Sequence, residues 1–375
     1  MTEDTPKKLA STERVEAWVR PVVQSLSAYP VLDSTGMVKL DAMENPYQWP
    51  DEMTQMWLTK LRPTAVNRYP DPTAVTLMDR IHRVGLVPEG VPIIFGNGSD
   101  ELIQIILLTV GGNGRTVVAP MPTFVMYETI ARLTDTKYVG VPLLDDFSLD
   151  TEAMIAAVRE HNPAAVILAS PNNPTSNLFD REAIYELMSA CNGLVVIDEA
   201  YHIFSGETFI NDLNDFDNLI VLRTLSKMGL AGLRLGYMVG SDLWMSQFNK
   251  ARLPFNVNVL TQLTAEFALQ HYYIFEDQAE RIRRERARVL KIMGSLDRVS
   301  AYPSDANFVL FRCEGIEADE VFTGLLQQEV LIKNLHQPGS ALQNCLRVTI
   351  GKPHENDAFL NALGLLVNVD YTITR

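Results

Sequence analysis

Thr224-Leu225-Ser226-Lys227-Met228-Gly229-Leu230-Ala231-Gly232-Leu233-Arg234-Leu235-Gly236-Tyr237 places one lysine in a small, hydroxyl- and glycine-rich turn, with an arginine close behind it. A surface lysine needs no such surroundings. A lysine that must lose its proton and attack a bound carbonyl does, because its amine has to be desolvated and held against the electrophile. The hydroxyls of Thr224 and Ser226 and the guanidinium of Arg234 suit a phosphate. The other reading is an ordinary strand–turn–strand with a solvated lysine. Three motifs upstream weigh against it.

The first is Asp198-Glu199-Ala200-Tyr201, which ends the apolar run Leu194-Val195-Val196-Ile197. Such a run reads as a buried parallel strand, so Asp198 sits at its carboxyl end, where open α/β sheets bind ligands. A buried carboxylate is costly there without a cationic partner. A protonated pyridine nitrogen is such a partner, and the pair lets the ring absorb a carbanion's electrons. Asp198 also reads as a cap for the next helix; a metal site with Glu199 and His202 lacks a second cluster of ligands. The second motif is Ser170-Pro171-Asn172-Asn173-Pro174-Thr175, directly after the strand-like run Ala165-Val166-Ile167-Leu168-Ala169. An Asn before a proline is held extended with its amide free to donate, although an Asn-Pro pair is often only a turn. The third is Phe95-Gly96-Asn97-Gly98-Ser99-Asp100-Glu101-Leu102, a strand, a glycine turn and a helix whose first amides can hold an anion. It is not a dinucleotide fingerprint, because Glu101 stands where the third glycine belongs.

In this order along the chain, the four motifs resemble the fold-type I pyridoxal-phosphate aminotransferases of the class II subgroup. The finer pattern is similar to the histidinol-phosphate aminotransferase family. Leu40-Asp41-Ala42-Met43-Glu44-Asn45-Pro46-Tyr47 resembles its N-terminal signature, and Asn67-Arg68-Tyr69-Pro70-Asp71-Pro72, Pro122-Thr123-Phe124-Val125-Met126-Tyr127 and Cys345-Leu346-Arg347-Val348-Thr349-Ile350-Gly351 are similar to further family segments. The likeness runs from about residue 12 to about residue 365.

The resemblance implies a role at each matching position. Lys227 would bond to the aldehyde of pyridoxal 5′-phosphate and then carry the proton between substrate and cofactor. Asp198 would pair with the pyridinium nitrogen, Tyr201 and Asn173 with the ring oxygen, and Phe124 would stack on the ring. Ser99, Asp100, Thr224, Ser226 and Arg234 would surround the phosphate, with Tyr69 reaching it from the other subunit of a homodimer. Arg347 would bind the anionic end of the substrate, alongside Lys333, Tyr47, Asn45 and Asn307. For Phe124 and Tyr69, core or loop aromatics remain the plainer reading. The implied reaction is transamination of L-histidinol phosphate with 2-oxoglutarate, giving imidazole-acetol phosphate and glutamate for histidine biosynthesis in the cytoplasm.

Three departures from the family pattern bear on the substrate. The Lys227–Arg234 spacing is one residue short, so Arg234 comes from a shifted turn. Met43 stands where Asn is usual. Lys333 falls in a segment where many members carry an arginine, and a point charge cannot reproduce a two-pronged contact.

Composition agrees with the class without sharpening it. A chain of 375 residues with 47% hydrophobic content can bury one large core and a smaller one. A net charge of −14 argues against nucleic acid or an anionic membrane as partner. Three unclustered cysteines, Cys191, Cys313 and Cys345, suggest a reducing compartment without a disulfide framework. Residues 1–10 lack the apolar stretch of a secretion signal, and no apolar run is long enough for a membrane helix.

Apolar runs at 93–96, 116–120, 137–141, 165–169, 194–198, 219–224 and 235–240 alternate with helical stretches, which predicts a mostly parallel seven-stranded sheet covered by helices. A helix over 12–26, broken at Pro21, precedes it. Long helices at 257–270 and 273–296 follow, then a smaller α+β region with strands near 307–312 and 346–350. The domain expectation is 1–49 as an N-terminal helix and arm packing on the small domain or the partner subunit, 50–255 as the large cofactor domain, and 256–375 as the small domain. Arg281, Arg283, Arg284, Arg286 and Arg288 are interleaved with Glu276, Asp277, Glu280 and Glu285, so a solvated face of paired charges is preferred to a nucleic-acid surface. His271, Tyr272 and Tyr273 read as helix-end packing.

Rival functions remain open at this level. Another amino-acid aminotransferase, aromatic or otherwise, or a phosphothreonine decarboxylase would use the same cofactor set. A non-catalytic cofactor-binding regulator is disfavoured because the whole Lys–Asp–Tyr–Asn set is present. A nicotinamide oxidoreductase is disfavoured further, because the dinucleotide fingerprint fails.

Overall fold

A computed structural model describes residues 12–28 and 32–367. Residues 1–33 and 34–375 fall into two separate units. The described part of the first holds two short helices, Thr12–Trp18 and Pro21–Gln24, with Pro21 at the start of the second, where a missing N–H is harmless.

The second unit opens with a short arm strand, β1 (Val38–Lys39), and then builds a sheet from β2 (Ile93–Gly96), β3 (Thr116–Met121), β4 (Lys137–Pro142), β5 (Ala165–Ala169), β6 (Leu194–Asp198), β7 (Leu219–Thr224) and β8 (Gly236–Val239). Its order is β2-β8-β7-β6-β5-β3-β4. From β7 to β4 every pairing is parallel, while β8 runs antiparallel to both neighbours. The apolar runs are continuous because both faces are covered, as parallel sheets require. Val166, Leu168, Val195, Ile197 and Val221 face one core, and Ile167, Val196, Ile220 and Leu222 face the other. This period of two splits each strand between cores.

Parallel neighbours end at the same edge. The segments after β3, β5 and β7 and the last residue of β6 therefore bring Phe124, Asn173, Lys227 and Asp198 to one rim, although these residues span about a hundred positions of sequence.

Beyond the sheet, the helices Val259–Gln270 and Tyr272–Met293 lead to a smaller antiparallel sheet. Its strands are β9 (Val299–Ala301), β10 (Phe308–Cys313), β12 (Lys333–Asn334) and β13 (Cys345–Thr349), in the order β12-β13-β10-β9. A separate two-residue strand, β11 (Val330–Leu331), pairs in parallel with the arm strand β1. Phe308, Phe311, Phe359, Val289 and Met293 fill the core of this region, and Leu40 and Met43 of the arm are buried in it. The 22-residue helix Tyr272–Met293 contributes Phe275 to the large core and Ile282, Val289 and Met293 to the small one.

The strands β1, β9, β11 and β12 have no counterpart in the sequence reading. Each is two or three residues long, too short to show a periodicity. The arginine-rich helix is laced as expected: Arg281 pairs with Asp277 at 2.7 Å and Arg284 with Glu280 at 2.9 Å. Two of its arginines also reach backbone, Arg283, which pairs with Glu280 as well, on the Ile203 carbonyl and Arg286 on that of Ala306. His271 packs on Phe267 at the helix junction, its ring 4.9 Å away.

Candidate active site

Lys227, Asp198, Tyr201, Asn173, Phe124, Ser99, Asp100, Thr224, Ser226 and Arg234 line one cavity at the carboxyl rim of the sheet, together with Met43 and Tyr127. The turn that carries Lys227 depends on Gly229, whose φ of 126° suits glycine and little else, and whose α-carbon faces the Asn45 amide and the Phe275 ring. The Lys227 Nζ donates to the Ala42 carbonyl at 3.1 Å. Burial, followed by the positive charge of Arg347, lowers the amine from its usual range to about 8. Roughly a tenth to a fifth of the amine is therefore neutral near physiological pH, against about a thousandth at its ordinary value.

Asp198 is 3% exposed. Its carboxylate accepts from the Tyr127 hydroxyl at 2.9 Å and from the Ala200 amide at 3.1 Å. No cation is paired with it among the described residues. Burial consequently raises the carboxyl to about 6, even against the Tyr127 hydrogen bond. A cationic ring nitrogen placed here would reverse that shift and satisfy the group.

Tyr201 and Asn173 meet directly: the Asn173 amide donates to the Tyr201 hydroxyl at 3.2 Å. The other end of the same amide accepts from the Arg347 guanidinium at 2.5 Å. Arg347 also donates to the Asp41 carbonyl at 3.1 Å and lies over the Phe308 ring. An anion-binding guanidinium, an amide and a phenol thus form one hydrogen-bonded line. Lys333 is the direct cross-strand partner of Arg347 in the β12–β13 pairing, so the two cations leave the same face of the small sheet.

The phosphate-like end is built from backbone as well as side chains. Thr224 and Ser226 share a hydroxyl contact at 2.9 Å, and Ser226 donates its amide to the Thr224 hydroxyl. The helix Gly98–Val110 begins here, with its free amides and positive dipole end. Arg234 reaches the same place from a left-handed backbone (φ 49°) and contacts Asp100 at 3.3 Å. Gly98 sits at φ 80°, a left-handed backbone that favours glycine, and a Cβ there would also press on the Arg234 guanidinium. A tight turn over Ala231–Leu233 immediately precedes Arg234.

Other expected residues lie elsewhere. The Asn45 amide is occupied by the Met228 carbonyl and Gln278, which braces the lysine turn. Asn307 donates to the Met43 carbonyl. Tyr47 sits beside Arg281, 5.6 Å from its guanidinium. Tyr69 is 81% exposed and stacks on Phe255, with no place in this chain's own cavity. Sequence reasoning missed one important group, Tyr127. It stood in a quoted motif, but nothing in the residue string told that its phenol would reach Asp198.

An aldehyde-reactive amine, an unneutralised buried carboxylate, a phenol–amide pair and a phosphate cradle together suit pyridoxal phosphate. The family model "Aminotransferase class I and II" matches residues 35–363. The chain is 52% identical, over 94% of its length and 98% of the relative's, to "Histidinol-phosphate aminotransferase 2" of Nitrosococcus oceani. It is 47% identical, over 93% and 96%, to the protein of the same name from Cupriavidus pinatubonensis. Among solved structures it is similar to histidinol-phosphate aminotransferase from Sinorhizobium meliloti in complex with pyridoxal-5′-phosphate, with a TM-score of 0.82, 25% identity and coverage of 94% and 98%. The chain belongs to the class I and II aminotransferases, pyridoxal-phosphate enzymes, and within them to the histidinol-phosphate aminotransferase family.

Proposed function

We propose that this enzyme transfers the amino group of L-histidinol phosphate to 2-oxoglutarate, in the cytoplasm, as a step of histidine biosynthesis. The observation that carries the reading is the gathering of Lys227, Asp198, Tyr201 and Asn173 around one cavity, with Tyr201 and Asn173 joined to Arg347 in a hydrogen-bonded line. Pyridoxal phosphate, when bound, supplies a carbonyl for the amino group and a ring that takes up the electrons of the broken Cα–H bond.

The chain's own groups do the rest. Asp198, ionised beside a cation, keeps the ring nitrogen protonated. Tyr201 and Asn173 would donate hydrogen bonds to the phenolic oxygen of the bound cofactor, and Phe124 would pack against its ring. The amides at Gly98–Asp100, with Ser99, Thr224, Ser226 and Arg234, hold the phosphate. Lys227, with its amine lowered to about 8, removes the proton from Cα and returns it on the cofactor side. Arg347 binds the donor's phosphate, or the oxo acid's carboxylate, through a two-pronged contact, and Lys333 adds a second positive charge on the same face. Anchoring that end would fix the orientation of the Cα–H bond presented to Lys227, which favours its breakage.

The exposed Tyr69 supports a homodimer in which each subunit lends this phenol to the other's phosphate site. A sedimentation measurement giving twice the chain mass agrees with it; a monomer that retains full activity overturns it. The substrate is tested by incubating the enzyme with 2-oxoglutarate and, separately, L-histidinol phosphate, phenylalanine and phosphothreonine. Glutamate formed chiefly from the first agrees with the reading. Glutamate formed from phenylalanine alone moves the substrate and leaves the chemistry in place.

A further inference from the structure

Three consecutive residues of the arm are held by groups of the active site. The carbonyls of Asp41, Ala42 and Met43 accept from Arg347, Lys227 and Asn307 respectively. The Met43 amide donates to the Thr349 hydroxyl at 2.9 Å. Between these clamps Met43 adopts φ 52°, a left-handed backbone that Asn, Asp and Gly accept readily and a long unbranched side chain does not. The backbone strain is thus over-determined from both sides, and it stands at the edge of the cavity. The Met43 side chain is buried and lines that cavity.

The other apolar walls are already engaged or too short. Phe124 is assigned to the cofactor ring in the reading above, Tyr127 is taken by Asp198, and Ala169 and Ala200 carry only methyl groups. We propose that Met43 is a specificity-determining residue, whose thioether presents an apolar, polarisable face to the ring of the amino donor. A sulfur at that position makes a favourable contact with a flat aromatic ring and offers no partner to a desolvated charge. The donor class selected is therefore one with an uncharged planar ring, a refinement that rests on the transaminase reading above.

The test compares L-histidinol phosphate with its ringless counterpart, 2-aminopropyl phosphate, in the holoenzyme and in Met43→Asn and Met43→Leu. Asn suits the left-handed backbone but gives up a buried thioether, so Met43→Asn is scored on the folded, cofactor-loaded protein, where its kcat/KM for the ringed donor should fall about tenfold. The ringless donor should change by less than about twofold, and Met43→Leu should keep the preference for the ring. Equal losses for both donors in Met43→Asn, or no loss for either, overturn the proposal. A parent enzyme that uses phenylalanine and ignores histidinol phosphate defeats the functional reading instead, and phenylalanine against alanine then carries the same test of Met43.

Discussion

Asp198 and Glu199 are adjacent carboxylates at the end of one strand, both essentially buried, and they have opposite fates. Glu199 is fully provided for. It accepts from the Arg223 guanidinium at 2.9 Å, from the Thr208 hydroxyl and from the Phe209 amide, and the Arg223 guanidinium is further held by the Leu86 carbonyl. Asp198 receives one phenol and one amide and, among the described residues, no cation. Alternation along the strand sends the two to opposite faces of the sheet. One face closes its charge within the chain; the other leaves the charge for a cofactor to neutralise. A buried carboxylate is therefore informative only through what surrounds it.

Removing each charge in turn breaks that contrast most sharply. Asp198→Asn should lower kcat by about a thousandfold, because an amide cannot keep the ring nitrogen protonated. The same change should stabilise the cofactor-free protein. Burial raises the Asp198 carboxyl from its ordinary value near 4 to about 6, so the folded state loses stability as pH climbs between those values and stays lower above them. Abolishing the ionisation recovers about 3 kcal/mol at neutral pH, readable by urea unfolding. Glu199→Gln should do the reverse. It strands a buried Arg223 and costs about 3–5 kcal/mol of stability in the same assay, while the folded fraction keeps its turnover.

Lys227 sharpens the contrast from the cationic side. Only the neutral amine can bond to the cofactor aldehyde, and its value near 8 sets the window. Followed by absorbance on the cofactor-free protein, the rate of pyridoxal phosphate uptake should rise about tenfold per pH unit below 8 and level off above it. A flat profile between pH 6 and 9 would contradict the placement of the amine in a desolvated site. The smallest effect belongs to the exposed pair Arg281–Asp277, where Arg281→Ala should move Tm by less than about 2 °C.

Much of the rim was legible because each functional residue follows an apolar run that can only be a doubly covered strand. Ala165–Ala169 points to Asn173, Leu194–Asp198 to its own last residue, and Leu219–Thr224 to Lys227. Strand order and the reversed direction of β8 were not legible, since both arise from pairings between distant segments. The same limit hid Tyr127, which lies 71 positions from the carboxylate it serves. It also hid the bracing part of Asn45, whose partners Met228 and Gln278 come from two other elements. Met43 shows the opposite case: its identity was plain, but its left-handed backbone was invisible until the arm was seen between Thr349 and Asn307.

The long helix Tyr272–Met293 has a consequence for how the molecule comes apart. It is a rigid rod of about 33 Å rooted in both cores, through Phe275 at one end and Met293 at the other. Neither core can melt without uncovering part of this rod, and an uncovered amphipathic rod does not persist alone in water. The large and small halves of residues 34–375 are thereby made to fail together, and heat should meet a single cooperative transition where two cores would suggest two.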